Sequence, residues 1–151
     1  MAYPHALNVW QSPNDATDDL IETVGDAAAA HIFNVMRPIT VVRVGVLITE
    51  VVATSSTDGI ISFDRRVLTD SDTGRGDADV GQVTIPDTTA VGKTVVDAGT
   101  PVDLDPGDQV VPQVTTAGVD AGTETGEFLY FIEYYIRPES DVNLTDVVVS
   151  A

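Results

Sequence analysis

The chain contains no cysteine, a single lysine and only two histidines. Each shortage removes a class of chemistry. Without cysteine there is no disulfide, no thiolate metal site and no cysteine nucleophile. The two histidines, His5 and His31, are too few and too scattered for a histidine-rich metal centre or for a serine–histidine–aspartate site, which needs its three groups brought together. No Gly-x-Ser-x-Gly turn is present. The sequence therefore points away from an enzyme and calls for no cofactor.

Positive charge is nearly as scarce. Seven Lys and Arg face 24 Asp and Glu, for a formal net charge of −17. A field of that sign repels phosphate backbones and anionic lipid surfaces, so neither nucleic acid nor membrane is an expected partner. An acidic, almost lysine-free surface also matches a halophilic protein, whose self-repulsion is screened by salt; an acidic protein in ordinary salt is the plainer reading. Long apolar runs are missing too. The stretches Val41–Val46 and Phe128–Tyr135 fall far short of the ~20 residues that span a bilayer. Met1–His5 has neither a basic segment nor an apolar one, so a soluble chain without an export signal is expected.

The apolar residues that remain are mainly valine, with isoleucine, leucine and a late aromatic run. β-Branched residues favour strands over helices. A length of 151 residues fits one domain with a sizeable core. Residues 1–16 read as an N-terminal arm, broken by Pro, Asn and Asp, and 17–151 as one β-sandwich domain. Trp10 stands alone in the arm, either anchoring on a neighbouring molecule or docking back on its own domain. Residues 17–31 fit either a helix, through Leu20, Val24, Ala27, Ala28 and His31, or a short strand at Leu20–Val24.

From residue 32 the pattern is β. Strands are expected at Ile32–Met36, Ile39–Val52, Ile60–Leu68, Val83–Ile85, Lys93–Asp97, Gln109–Thr116, Phe128–Arg137 and Asn143–Ser150. Ile39–Val52 is apolar on both faces apart from Arg43, which predicts a strand covered on both sides. Asp105-Pro106-Gly107-Asp108 suits a type II turn, and Pro112 places Gln109–Thr116 at a sheet edge or a bulge. Short strands with a turn signal every ~8–12 residues predict a sandwich or barrel.

Few motifs carry chemistry. Asp70, Asp72, Asp77 and Asp79 lie in one loop and could offer oxygen ligands to calcium, but the EF-hand pattern fails, with Arg75 and Gly81 at its glycine and glutamate positions. A solvated acidic loop is the plainer reading, and no metal is assigned. Arg75-Gly76-Asp77 is a chance match to an integrin-type tripeptide. Gly92-Lys93-Thr94 lacks the leading glycine of a phosphate-binding loop, where Asp87 stands. Asn143-Leu144-Thr145 is formally a glycosylation acceptor. Two charges stand out on apolar strands, Arg43 among valines and Glu133 beside Leu129, Phe131 and Tyr135. Buried charges need partners, so the two are expected to pair, within the domain or across a subunit interface. A snorkelling arginine is the alternative. Trp10, Arg43 and Glu133 are the interface candidates.

The runs Phe63-Asp64-Arg65-Arg66, Thr73-Gly74-Arg75-Gly76-Asp77, Val102-Asp103-Leu104-Asp105-Pro106-Gly107-Asp108-Gln109-Val110 and Tyr135-Ile136-Arg137-Pro138 together are similar to small capsid decoration (cement) proteins of tailed viruses of bacteria or archaea. The resemblance spans roughly residues 39–138 and rests on turn and strand features. It implies an all-β, jelly-roll-like β-sandwich with an extended N-terminal arm and a C-terminal strand. It also implies a homotrimer on the outer surface of an icosahedral virion, with the major capsid protein as partner. A non-catalytic carbohydrate- or receptor-binding module on a virion is the second reading. A calcium ion in the 70–79 loop and an exposed aromatic platform at Tyr130, Tyr134 or Tyr135 would favour it.

Overall fold

In the computed structural model, Asn8–Gln11 (β1), Phe128–Ile136 (β10), Ile39–Ile48 (β4) and Thr94–Asp97 (β7) lie side by side in that order, and Val102–Leu104 (β8) also pairs with β4. The second sheet places Gly25–Asp26 (β2), Gln109–Thr116 (β9), Gly59–Arg66 (β5) and Gly81–Ile85 (β6) in order, with Phe33–Asn34 (β3) also on β9. Every pairing is antiparallel. The structure describes residues 6–12, 25–26, 32–49, 58–67, 79–86, 92, 94–97, 99, 101–116 and 128–138, and among them there is no helix. The fold is all-β, built on two antiparallel sheets.

β7 and β8 share one flank of β4, at Val44–Leu47 and at Ile39–Val41. β2 and β3 likewise share one flank of β9, at Gln113–Val114 and at Gln109–Val110. Each sheet is thus four strands wide, with one interrupted outer strand.

One apolar core draws on both sheets. Val44, Val46, Tyr130 and Ile132 of the first join Ile61, Phe63, Val83, Ile85, Val110 and Val114 of the second. Phe63 meets Tyr130 edge-on with ring centroids 5.9 Å apart, and Phe128 meets the same tyrosine at 5.1 Å. Edge-on rings set the positive rim of one against the negative face of the other. β6 shows the plain period of two, with Gly81, Val83 and Ile85 inward and Gln82 and Thr84 outward.

β4 is covered on both sides except at Arg43: its outward Gly45 is buried beside Phe131, and Val42 and Leu47 are half-buried. Its pairing with β10 slips at Val42, so that Glu133 faces Arg43 and Tyr134 faces Val41. The extra residue is a β-bulge, and it moves the inward set from Ile39 and Val41 to Val44, Val46 and Ile48.

Pro112 does not put β9 at a sheet edge, although the strand's pairing with β5 carries a register shift at Ile60/Ile61. β9 is an interior strand between β5 and the β2/β3 flank. Pro112 lies between the two stretches of β9 that β2 and β3 pair with, so its missing N–H falls where the outer ladder is interrupted.

Of the expected arm, residues 1–5 and 13–16 lie outside the described residues. Residues 8–11 are strand β1, and the pairing continues through Ser12: its N–H donates to the Tyr130 carbonyl (2.9 Å), and Tyr130 N–H donates to Ser12 Oγ (3.0 Å). Of residues 17–31, Gly25–Asp26 is strand, while Leu20–Val24 and His31 lie outside the described residues, as does Asn143–Ser150.

Candidate interface site

The β8–β9 turn organises one end of the molecule. Asp108 N–H donates to the Asp105 carbonyl (3.0 Å), and Gly107 adopts φ +99°, the type II turn that Pro106-Gly107 suits. Asp108 is buried, and its Oδ2 accepts Asp105 N–H (2.9 Å) and Arg65 Nη2 (2.8 Å). The turn is therefore locked by a charge that is both paired and hydrogen-bonded.

Arg137 closes the same end from β10. Its Nη2 donates to the Leu104 carbonyl (3.0 Å) and to Asp105 Oδ1 (2.7 Å), and its Nε donates to the Ile39 carbonyl (3.2 Å). Asp103 Oδ1 lies 3.8 Å from Nε and accepts the Thr40 hydroxyl at 2.6 Å. One guanidinium thus ties β10, β4 and β8 together, using the planar fork that lysine lacks.

Between these clamps the chain passes from β3 to β4 as Val35-Met36-Arg37-Pro38. Val35 is buried; its N–H donates to the Asp108 carbonyl and its carbonyl accepts Gly107 N–H, both at 2.9 Å. Pro38 is fixed by Arg137 N–H donating to its carbonyl (2.9 Å). Met36 and Arg37 are left outside, Met36 with 81% of its surface exposed. A concavity of about 190 Å³ opens beside them, lined by Phe33, Val35, Ile39, Tyr134 and Ile136. A second lies on the other side of Met36, against Pro106, Gly107 and Gln109.

Arg43 and Glu133 stand directly opposite each other in the β4–β10 ladder, with Nε 3.2 Å from Oε2. They pair within the chain, on the face turned away from the core, and Arg43 is exposed, not buried. Trp10 docks on its own domain. Its ring centroid is 5.3 Å from that of Phe33, which lies 5.4 Å from Tyr134, and the indole packs against the core. Asp79 is exposed; Asp70, Asp72, Asp77, His5 and His31 lie outside the described residues. Among the described residues no three His, Asp or Glu converge as metal ligands.

The tyrosines form no platform. Tyr130 is fully buried, Tyr134 faces the core side, and Tyr135 faces the other side of the sheet. Sequence reasoning missed Met36, Arg37, Arg65, Asp108 and Arg137 as parts of one end. The signal on offer was a Met-Arg-Pro between two strands and an aspartate at each end of a Pro-Gly turn.

No family model matches the chain, and neither a curated protein nor a solved structure shows significant similarity to it.

Proposed function

We propose that the protein is a structural virion component that decorates and stabilises an icosahedral capsid as a homotrimer, on the outer surface and against the major capsid protein. The strand order carries the reading. If β2 with β3 and β7 with β8 are each counted as one interrupted strand, eight strands run 1-8-3-6 in one sheet and 2-7-4-5 in the other. That interleaving is the order of a jelly-roll sandwich, an architecture shared by viral capsid and lectin domains. A core common to both sheets supports the sandwich part of the reading.

The outer face of the first sheet is the surface on which identical subunits would meet. Register places Val9, Glu133 and Arg43 in one row there, and Val96 in the next beside Gly45 and Phe131, which are buried within the chain. Val9, Val96 and Tyr135 are exposed, and the Arg43–Glu133 pair sits among them. A net charge of −17 suits a surface that must not retain nucleic acid.

Two measurements test the reading. Light scattering in low and in molar salt should give three times the chain mass in at least one condition. Immunogold labelling of intact particles from a culture of the source should place the protein on their outside. Labelled cells with unlabelled particles would end the virion reading, whatever the oligomeric state.

A further inference from the structure

The described residues include five arginines. Arg43, Arg65 and Arg137 hold carboxylates at 3.2, 2.8 and 2.7 Å, and Arg66 is also engaged. Arg37 alone of the five has no partner among the described residues, in a chain with 24 acidic residues and only seven basic ones. Arg37 is exposed and lines the apolar hollow beside Met36, so it offers a cation at the rim of an apolar surface. We propose that the Met36–Arg37 tip and the hollow lined by Phe33, Tyr134 and Ile136 bind an extended segment of a protein partner that presents an apolar side chain beside a carboxylate.

Three features fit that occupant. The hollow beside Tyr134 and Ile136 measures about 190 Å³, room for one side chain, and the adjoining concavity against Pro106 and Gly107 about 350 Å³. Met and Arg are enriched in protein interfaces, and an unbranched thioether adapts to an uneven surface. The tip is also held in advance, since Val35 and Pro38 are fixed by backbone hydrogen bonds on either side. Binding therefore orders little besides two side chains, which limits its entropic cost. The carboxylate completes the site, because Arg37 can grip it with two parallel N–H donors. The inference does not require that the partner belong to a virion.

Methionine occurs only at positions 1 and 36, so methyl-labelled methionine reports on the tip with two signals. The probe is acetyl-Leu-Leu-Asp-amide, titrated in the lowest salt that keeps the fold. The Met36 methyl should shift and saturate. Acetyl-Leu-Leu-Asn-amide, or the Arg37→Gln variant with the Asp peptide, should bind about five- to tenfold more weakly, the size of a lost charge-assisted pair. Equal affinity for the two peptides would overturn the proposal, as would no saturating shift at millimolar peptide. An identical shift with sodium acetate would reduce the site to a bare anion contact. A shift that follows protein concentration without peptide, with doubling of mass, would assign the tip to self-contact and overturn it equally.

Discussion

Arg65 and Asp108 meet at 2.8 Å across the end of the second sheet, with the aspartate side chain almost entirely buried and the arginine side chain about a third exposed. The same carboxylate oxygen accepts Asp105 N–H. Asp108→Ala would strand the N–H and remove the arginine's partner, and it should cost about 2–4 kcal/mol of stability. Asp108→Asn keeps an acceptor and should cost less. Urea melts of both variants check the order, and equal losses would show that the hydrogen bond contributes nothing beyond the charge.

Gly107 sits at φ +99° with open space where a Cβ would be. Its requirement is therefore conformational, not steric. Gly107→Ala should destabilise by about 1–2 kcal/mol, the usual cost of a positive φ for an L-residue. Gly107→Asn should lose less, because asparagine tolerates left-handed backbone better. Thermal melts decide, and an unchanged Tm for Gly107→Ala would mean that the turn relaxes to another type.

The turn shows what was legible in the sequence and why. Pro106-Gly107 fixes its own dihedrals, so four residues suffice to read it. Strand existence was legible for the same reason, in the valine-rich runs and their breakers. The Arg43–Glu133 pair could be expected because both charges interrupt apolar faces, and the exposed arginine head matches the snorkelling alternative. What escaped depends on partners far apart in the chain. The bulge at Val42 is set by its register against β10, Pro112 is tolerated by an interruption in the neighbouring strand, and Arg137 reaches Asp105 and Ile39 only after three strands assemble.

Gly81 marks a close approach of the two sheets. A Cβ there would lie 2.5 Å from Val44 Cγ2 and 3.2 Å from Asp97 Oδ2. The adjacent Gln82 N–H donates to Asp97 Oδ2 at 2.8 Å, pinning β6 to β7. Gly81→Ala should cost about 1–3 kcal/mol through overpacking. Val44→Ala frees the space, so the double variant should be more stable than the summed losses by about 1 kcal/mol. Additive losses would place the strain elsewhere.

Ser62 and Gln113 face each other across β5 and β9, both fully buried on the side away from the core residues Ile61 and Val114. Ser62 Oγ and both amide atoms of Gln113 have no hydrogen-bond partner among the described residues. Buried polar atoms in that state carry a desolvation cost, so replacing both by apolar groups of similar shape should be neutral or stabilising. Ser62→Ala with Gln113→Met is expected to hold or raise the urea midpoint by the equivalent of about 1 kcal/mol. A loss of more than that would show that the pair is hydrogen-bonded in solution, with water or a peptide group.

Trp10 decides between an arm that clamps a neighbour and a strand that completes the sheet. Its indole covers Phe33 and the core, and β1 is hydrogen-bonded along β10 through Ser12. Removing residues 1–12 therefore takes a strand from the first sheet and uncovers one side of Tyr130 and Ile132. Trp10→Ala alone should cost about 3 kcal/mol, the lower end for a large aromatic in a core, because the ring is only half buried. Tryptophan fluorescence gives a direct check, since this is the only tryptophan. Emission should move to the red in the same urea transition that abolishes the far-ultraviolet β signal. An early, separate shift would mean that β1 detaches while the domain stays folded. A strand with that freedom could be donated to a neighbouring subunit, whereas one transition makes it part of the fold.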